Sequence, residues 1–219
     1  MEKKGYFIAF EGIDGCGKGT QIKRLKELFE EKGINSLFTR EPGGIKLSEK
    51  IRELLLDKEN SEMTDTCEMM LFAASRSMSV EKLIVPALKE GKVVVCDRYV
   101  DSSIAYQGGA RGLGVDLVRD LNLIATGGLN PDLTILLDLA GEIGASRNEQ
   151  MGGKDDRMES NGVAFQNKVR QVYLENAALA PDRYLIVDAS KSRDEIFDVI
   201  KSELEARGVL SNASVSQLY

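Results

Sequence analysis

The sequence predicts an α/β protein with three layers, α/β/α, in which a five-stranded parallel sheet is surrounded by helices. Three observations predict it. Short apolar runs rich in β-branched residues alternate with longer stretches of helical pattern, the order that gives parallel strands joined by helical crossovers. Residues 92–97 and 132–138 are continuous apolar runs, as strands buried on both faces should be. Each ends in an acid, Asp97 or Asp138, at the C-terminal end, where open α/β sheets place their ligand crevice.

The elements follow in order. Phe7 to Phe10 sets the first strand, over residues 5–11, and a helical pattern opens at Lys18 and runs to 32. The second strand is expected over 34–39, followed by helices over 46–57 and 65–90, with Asn60-Ser61 as the break between them. After the strand at 92–97 come helices over 100–106 and 114–126, then the Gly127-Gly128 break and the strand at 132–138. Helices over 141–150 and 162–179, a strand over 184–188 and a helix over 192–207 complete the domain. No internal repeat is present. Residues 1–208 thus read as one domain, and the Ser-rich, weakly charged stretch 209–219 as a flexible tail.

Bulk properties exclude several function classes. A chain of 219 residues with 42% hydrophobic and 29% charged residues is an ordinary globular domain with room for a substantial core. The net charge of −6 argues against a nucleic-acid binder relying on bulk positive charge, so phosphate recognition must be local. No stretch approaches the ~20 apolar residues of a membrane span. The first residues carry no signal-peptide pattern. Cys16, Cys67 and Cys96 lack metal-ligand spacing and fit free thiols in a reducing cytosol. There is no histidine, which removes the commonest general base. The chemistry must run on positioning and charge.

The segment from Phe10 to Gln21 carries the sharpest signal. From Gly12 to Lys18 it fits Gly, four residues, Gly, Lys, set between a strand and a helix. The segment reads as the phosphate-binding loop of a P-loop NTPase, against the plainer reading of a Gly turn between strand and helix. Gly12, Gly15, Gly17 and Gly19 let backbone N–H groups converge on phosphate oxygens, with Ile13, Asp14 and Cys16 completing the loop. The helix dipole and the Lys18 ammonium add positive potential. Gly19 stands where most P-loops carry a Ser or Thr that ligates Mg²⁺, and Thr20 comes one residue late.

Four further segments carry candidate chemistry. Arg40-Glu41-Pro42-Gly43-Gly44 follows the second strand, with Arg52 on the next helix. Phe72 and Arg76, four apart, share a helix face. Asp97-Arg98-Tyr99 leads into Ser102, Ser103, Tyr106 and Gln107. The polar stretch 150–161, with Asp156-Arg157-Met158-Glu159, reads either as a surface loop or as a lid that excludes water during phosphoryl transfer. Taken singly, each has a plain structural explanation: Phe72 as core, Arg52 and Arg76 as solvated helix charges, Asp97-Arg98 as a strand-end ion pair.

In this order and at these spacings the segments resemble thymidylate kinases of the bacterial type, over about residues 7–200. The resemblance implies phosphorylation of dTMP to dTDP by ATP and Mg²⁺ in dTTP synthesis, in a cytoplasmic homodimer. It implies that Phe72 stacks on thymine, that Arg76 donates to O4, and that Ser102, Ser103 and Gln107 border the base. Tyr106 would press on C2′ of the sugar and Asp14 would accept from the 3′-OH. Arg52 and Arg98 would clamp the 5′-phosphate, as guanidinium forks suit phosphate oxygens. Arg98 would also reach the transferred group, Asp97 would hold Mg²⁺ through water, and Glu41 would lie near the acceptor phosphate and Arg98. In-line transfer needs positioning and cationic stabilisation, and the acceptor phosphate needs no base.

Two departures from the family pattern stand out. Lys18-Gly19-Thr20-Gln21 is similar to adenylate kinases, whose Mg²⁺ is largely water-ligated. The P-loop also lacks a second basic residue, which in this family places the stabilising arginine in the lid, here 142–161. Arg157 is the first choice for that role, with Arg147 against the adenine or the ATP phosphates. An AMP, UMP or CMP kinase is the nearest rival reading. A slow P-loop hydrolase acting as a switch is another, although no water-positioning residue is evident for it.

Overall fold

A computed structural model describes residues 4–150 and 162–211 of the chain. Five strands, β1 (Tyr6–Glu11), β2 (Ser36–Arg40), β3 (Val93–Asp97), β4 (Leu133–Asp138) and β5 (Tyr184–Asp188), form one sheet in the order β2-β3-β1-β4-β5. Every pairing is parallel, with Phe10 beside Asp97 on one flank and Ile135 on the other. The strand order reverses at β1. Loops leaving the C-terminal ends of β1 and β3 therefore diverge and leave a crevice between them.

The helices are α1 (Lys18–Glu31), α2 (Lys46–Leu56), α3 (Asp65–Ser79), α4 (Val85–Lys89), α5 (Val100–Ser103), α6 (Val115–Thr126), α7 (Gly141–Gln150), α8 (Val163–Leu179) and α9 (Arg193–Ala206). Local chemistry sets several of their starts. Thr64 caps α3 by accepting from the Cys67 N–H at 3.2 Å. Ser192 and Glu195 form a reciprocal capping box at the start of α9.

Two helical stretches differ in kind from the sequence expectation. The run 65–90 is one path, but its middle, Val80–Ile84, is a π-turn between α3 and α4. Pro86 follows closely and has no N–H for an α-helical bond. The stretch expected over 100–106 starts as α5 and continues as a π-helix over Ile104–Ala110. Apolar periodicity carries no mark of such widened turns, which concentrate at functional sites.

The three central strands, β1, β3 and β4, are buried on both faces, as their apolar runs require, while the edge strands β2 and β5 are partly exposed. Tyr6, Ile8 and Phe10 of β1 join Val93 and Val95 of β3 in the larger core, with Leu25, Phe29, Val169 and Ile200 from the covering helices. Phe7 and Ala9 alternate to the other side, with Val94, Cys96, Ile84 and Tyr99. Val209 and Leu210, expected in the flexible tail, are buried at 1% and 6% exposure in the larger core. Their apolar side chains extend the packed domain past Gly208. Among the described residues, no helix is long and apolar enough to cross a membrane.

Candidate active site

The chain leaves β1 at Glu11 and turns through the glycine loop into α1. Gly17 is the N-cap, with left-handed φ of 94°, so the first N–H groups of α1 are free to face an anion. Gly15, at φ 76°, is held closer still: a Cβ there would sit 2.3 Å from the Gly144 carbonyl oxygen of α7. Loop and α7 thus touch backbone to backbone. Lys18 folds over its own loop, its Nζ donating to the Gly12 and Ile13 carbonyls at 3.0 and 3.2 Å. Ile13 and Cys16 point into the core. Gly19 is exposed, and a Cβ there would meet nothing within 4 Å.

A cleft of about 450 Å³ opens beside this loop. On the P-loop side it is lined by Asp14, Gly15, Lys18, Gly19 and Thr20. Phe72 and Arg76 of α3 and Ser103, Tyr106 and Gln107 also face it, the last two carried by the π-helix. Arg52, Asp97, Arg98, Glu41 and Ser102 complete the set, so the structure brings the P-loop and three of the four further segments to one place, while the fourth lies outside the described residues from 151 on.

Arg98 is the hub. It is the one non-glycine residue with positive φ, 66°, among the described residues. Its Nη2 donates to Asp14 Oδ1 at 2.6 Å, and its Nη1 reaches the Gly12 carbonyl at 3.1 Å and Ser102 Oγ at 3.2 Å. Burial works against this guanidinium, but the facing Tyr106, Asp14, Tyr173 and Asp97 hold its pKa well above the ordinary value. Burial likewise pushes the Asp14 carboxyl up. Arg98 and Lys18, with hydrogen bonds from Gln166 and Tyr106, outweigh it and keep Asp14 ionised below the usual range. Asp14 therefore has protein partners on both oxygens, where the resemblance gave it a sugar hydroxyl.

Glu41 lines the same cleft as Arg98 but is paired with another arginine. Its Oε2 accepts from Arg76 Nε at 2.6 Å, in a pair that is 2% and 3% exposed, and not from Arg98. The turn after β2 points it toward α3, where an otherwise unpaired buried arginine needs a counter-charge. Arg76 also donates from Nη1 to Ser103 Oγ at 2.9 Å and Asn122 Oδ1 at 2.5 Å, and from Nη2 to the Tyr99 carbonyl at 3.0 Å. Gln107 is pinned similarly, its Nε2 donating to Glu68 Oε1 at 2.8 Å. Glu68 in turn receives Arg111 through Nε and Nη2 at 3.0 and 3.1 Å. Arg52 donates to the Pro42 carbonyl at 3.1 Å.

One expected ATP-side cation stands apart. Arg147 is tied to the Ala189 carbonyl at 3.0 Å and does not line the cleft, whereas its neighbour Asn148 does. Arg157 and most of the lid lie outside the described residues. Sequence reasoning also missed Glu11, Glu68, Asn122, Gln166 and Tyr173, which hold the lining side chains. Glu11 left one signal, a carboxylate closing an otherwise apolar buried strand. The others are too far along the chain from their partners for any spacing to reveal them.

Comparison with known proteins bears directly on this cleft. The family model for thymidylate kinase matches residues 10–200. A thymidylate kinase of Lactobacillus helveticus is 46% identical over 206 residues, covering 93% of this chain and 97% of its own. That of Geotalea daltonii is 47% identical, with 87% and 92% covered. A Thermoanaerobacter thymidylate kinase is 46% identical, and the match covers 92% of this chain and all of the relative. With the match spanning every segment that lines the cleft, the chain belongs to the thymidylate kinase family.

Proposed function

We propose that this protein transfers the γ-phosphoryl group of ATP to dTMP, giving dTDP and ADP. Family membership makes it an ATP-dependent nucleoside-monophosphate kinase. The single observation that carries the substrate side is that Phe72, Arg76, Tyr106 and Gln107 share one cleft with the P-loop lysine. An apolar ring, a donor arginine and an amide suit a pyrimidine with a carbonyl edge.

In this reading ATP phosphates lie along the glycine loop and the start of α1, with Lys18 released from its loop carbonyls to neutralise them. Arg52 and Arg98 hold the acceptor phosphate, and Arg98 stabilises the charge that spreads over the transferred group. Phe72 stacks on the base, Arg76 donates to it, and Tyr106 closes the sugar site. Arg157 is our choice for a lid cation over the transferred group, and Arg147 for the adenine side. Mg²⁺ is the implied cofactor. Among the described residues Asp97 Oδ1 and Glu41 Oε1 are buried without partners, and both side chains line the cleft, which fits carboxylates awaiting a hydrated cation. When bound, the ion would neutralise polyphosphate charge.

A coupled assay with ATP and a panel of nucleoside monophosphates tests the reading. Turnover should be fastest with dTMP; faster turnover of AMP or CMP would overturn it. We further read the protein as a cytoplasmic homodimer. Large apolar side chains exposed on α2, α3 and α6 (Leu54, Met70, Leu123 and Ile124) support a second copy packing there. Light scattering on the parent and Met70→Glu tests it: a monomeric parent would refute the dimer.

A further inference from the structure

Glu11, the last residue of β1, is completely buried and does not line the cleft. Its partners are all next to Arg98. Oε1 accepts from the Tyr99 N–H at 2.8 Å and the Ser102 N–H at 3.2 Å. Those are the N-cap and third N–H groups of α5, a helix whose own N-cap residue, Tyr99, supplies no side-chain cap. Oε2 accepts from Ser102 Oγ at 2.6 Å and Tyr173 OH at 2.8 Å. The backbone on the other side of Arg98 is also held by β1, because the Arg98 N–H donates to the Phe10 carbonyl at 2.9 Å.

We propose that Glu11 is a positioning residue for Arg98: its carboxylate caps α5 from the neighbouring strand and so fixes the left-handed turn that aims the guanidinium into the cleft. A left-handed arginine persists only where its surroundings over-determine it. Here two consecutive residues of β1 hold the two N–H groups that bracket Arg98 Cα. The same carboxylate also orients the side chain. Ser102 Oγ and Tyr173 OH, 2.8 Å from each other, are both held at Glu11 Oε2, which places their lone pairs toward Arg98 Nη1 at 3.2 and 3.4 Å.

The inference rests on the reading of Arg98 as the residue that stabilises the transferred group, and the test separates the two. Steady-state turnover of dTMP is measured for Glu11→Ala, Arg98→Ala and the double variant. If Glu11 acts through Arg98, Glu11→Ala lowers kcat by about tenfold or more alone but by less than about threefold in the Arg98→Ala background. KM for ATP stays near the parent value. Glu11→Gln recovers most of the loss, since its amide oxygen caps the two N–H groups while its NH₂ donates to the two hydroxyls. Should Glu11→Ala not fold, Glu11→Asp runs the same cycle, with the carboxylate drawn back by one methylene. Effects that multiply in full refute the positioning role alone. An Arg98→Ala variant with parental kcat removes both the role of Arg98 and this inference.

Discussion

Arg76 reaches the cleft as an arginine already bound on four sides, with Glu41 2.6 Å from its Nε. The bonds to Glu41, Ser103, Asn122 and Tyr99 engage four of the five N–H groups a guanidinium carries, which leaves one on Nη2 for a ligand. Burial alone would favour discharging this group, but the Glu41 carboxylate holds its pKa above the ordinary value. The cleft therefore presents a rigid, fully charged single donor.

Glu41→Ala should consequently destabilise the fold by about 3–5 kcal/mol, because it leaves a buried guanidinium without its counter-charge. Urea unfolding midpoints check this, and a loss below about 1 kcal/mol would show that the pair does not hold the region. Asn122→Ala is gentler. It removes one of the bonds that orient the Arg76 plane, and should raise KM for dTMP while leaving KM for ATP unchanged.

Burial, helped by the Asp101 charge and opposed by Ser102, Arg98 and Tyr173, lifts the Glu11 pKa to about 7. The usual value is 4.5, so between these limits the folded protein keeps a proton that the unfolded chain has released. The stability linked to that proton is complete below about 4.5 and is lost as pH rises through about 7. Glu11→Gln carries no such proton. Thermal unfolding of the two proteins from pH 5 to pH 8 should show the variant gaining on the parent as pH rises, by up to about 3 kcal/mol. A difference independent of pH would mean that Glu11 is ionised throughout.

The strands, the glycine loop and the cleft-lining set were legible in the sequence because each depends on local order. Continuous apolar runs mark doubly buried strands, and Gly12 to Lys18 sits between a strand and a helix. What could not be read was who holds whom. Glu41 and Arg76 are 35 residues apart, and Arg76 and Asn122 are 46 apart. No periodicity connects them. The π-helix that carries Tyr106 and Gln107 was equally silent, since a widened turn has no residue signature of its own. Arg147 went to the Ala189 carbonyl because position on a helix near the ATP side does not determine which way a long side chain leaves it.

Gly144 of α7 is a test of the contact between that helix and the P-loop. A Cβ there would stand 2.6 Å from the Asp14 carbonyl oxygen and 3.1 Å from Ile13 Cδ1. Backbone cannot yield as a side chain would, so Gly144→Ala must displace α7 or the loop. Overpacking of this kind costs about 1–3 kcal/mol. Because the displaced loop is the phosphate cradle, KM for ATP should rise more than KM for dTMP. Equal effects on both substrates would mean that α7 moves and the loop stays.

Gly19 predicts the opposite outcome. The position is exposed, a Cβ meets nothing within 4 Å among the described residues, and φ is not in the left-handed range, so a side chain fits there without strain. Replacing glycine near the start of α1 by serine also gains about 0.5 kcal/mol of helix propensity. Thr20 does not already supply the missing hydroxyl at that place, because it is turned about 100° further round the helix. Gly19→Ser and Gly19→Thr should thus be at least as stable as the parent and bind Mg·ATP at least as tightly. In the proposed reading Asp97 Oδ1, which like Glu41 Oε1 is buried without a partner among the described residues, would help hold the hydrated ion. Asp97→Ala should raise the Mg²⁺ concentration needed for half-maximal rate, and Gly19→Thr should offset part of that rise. Titration calorimetry with Mg²⁺ and an ATP analogue checks both, and weaker binding by Gly19→Thr would show that the glycine is required by the bound phosphates.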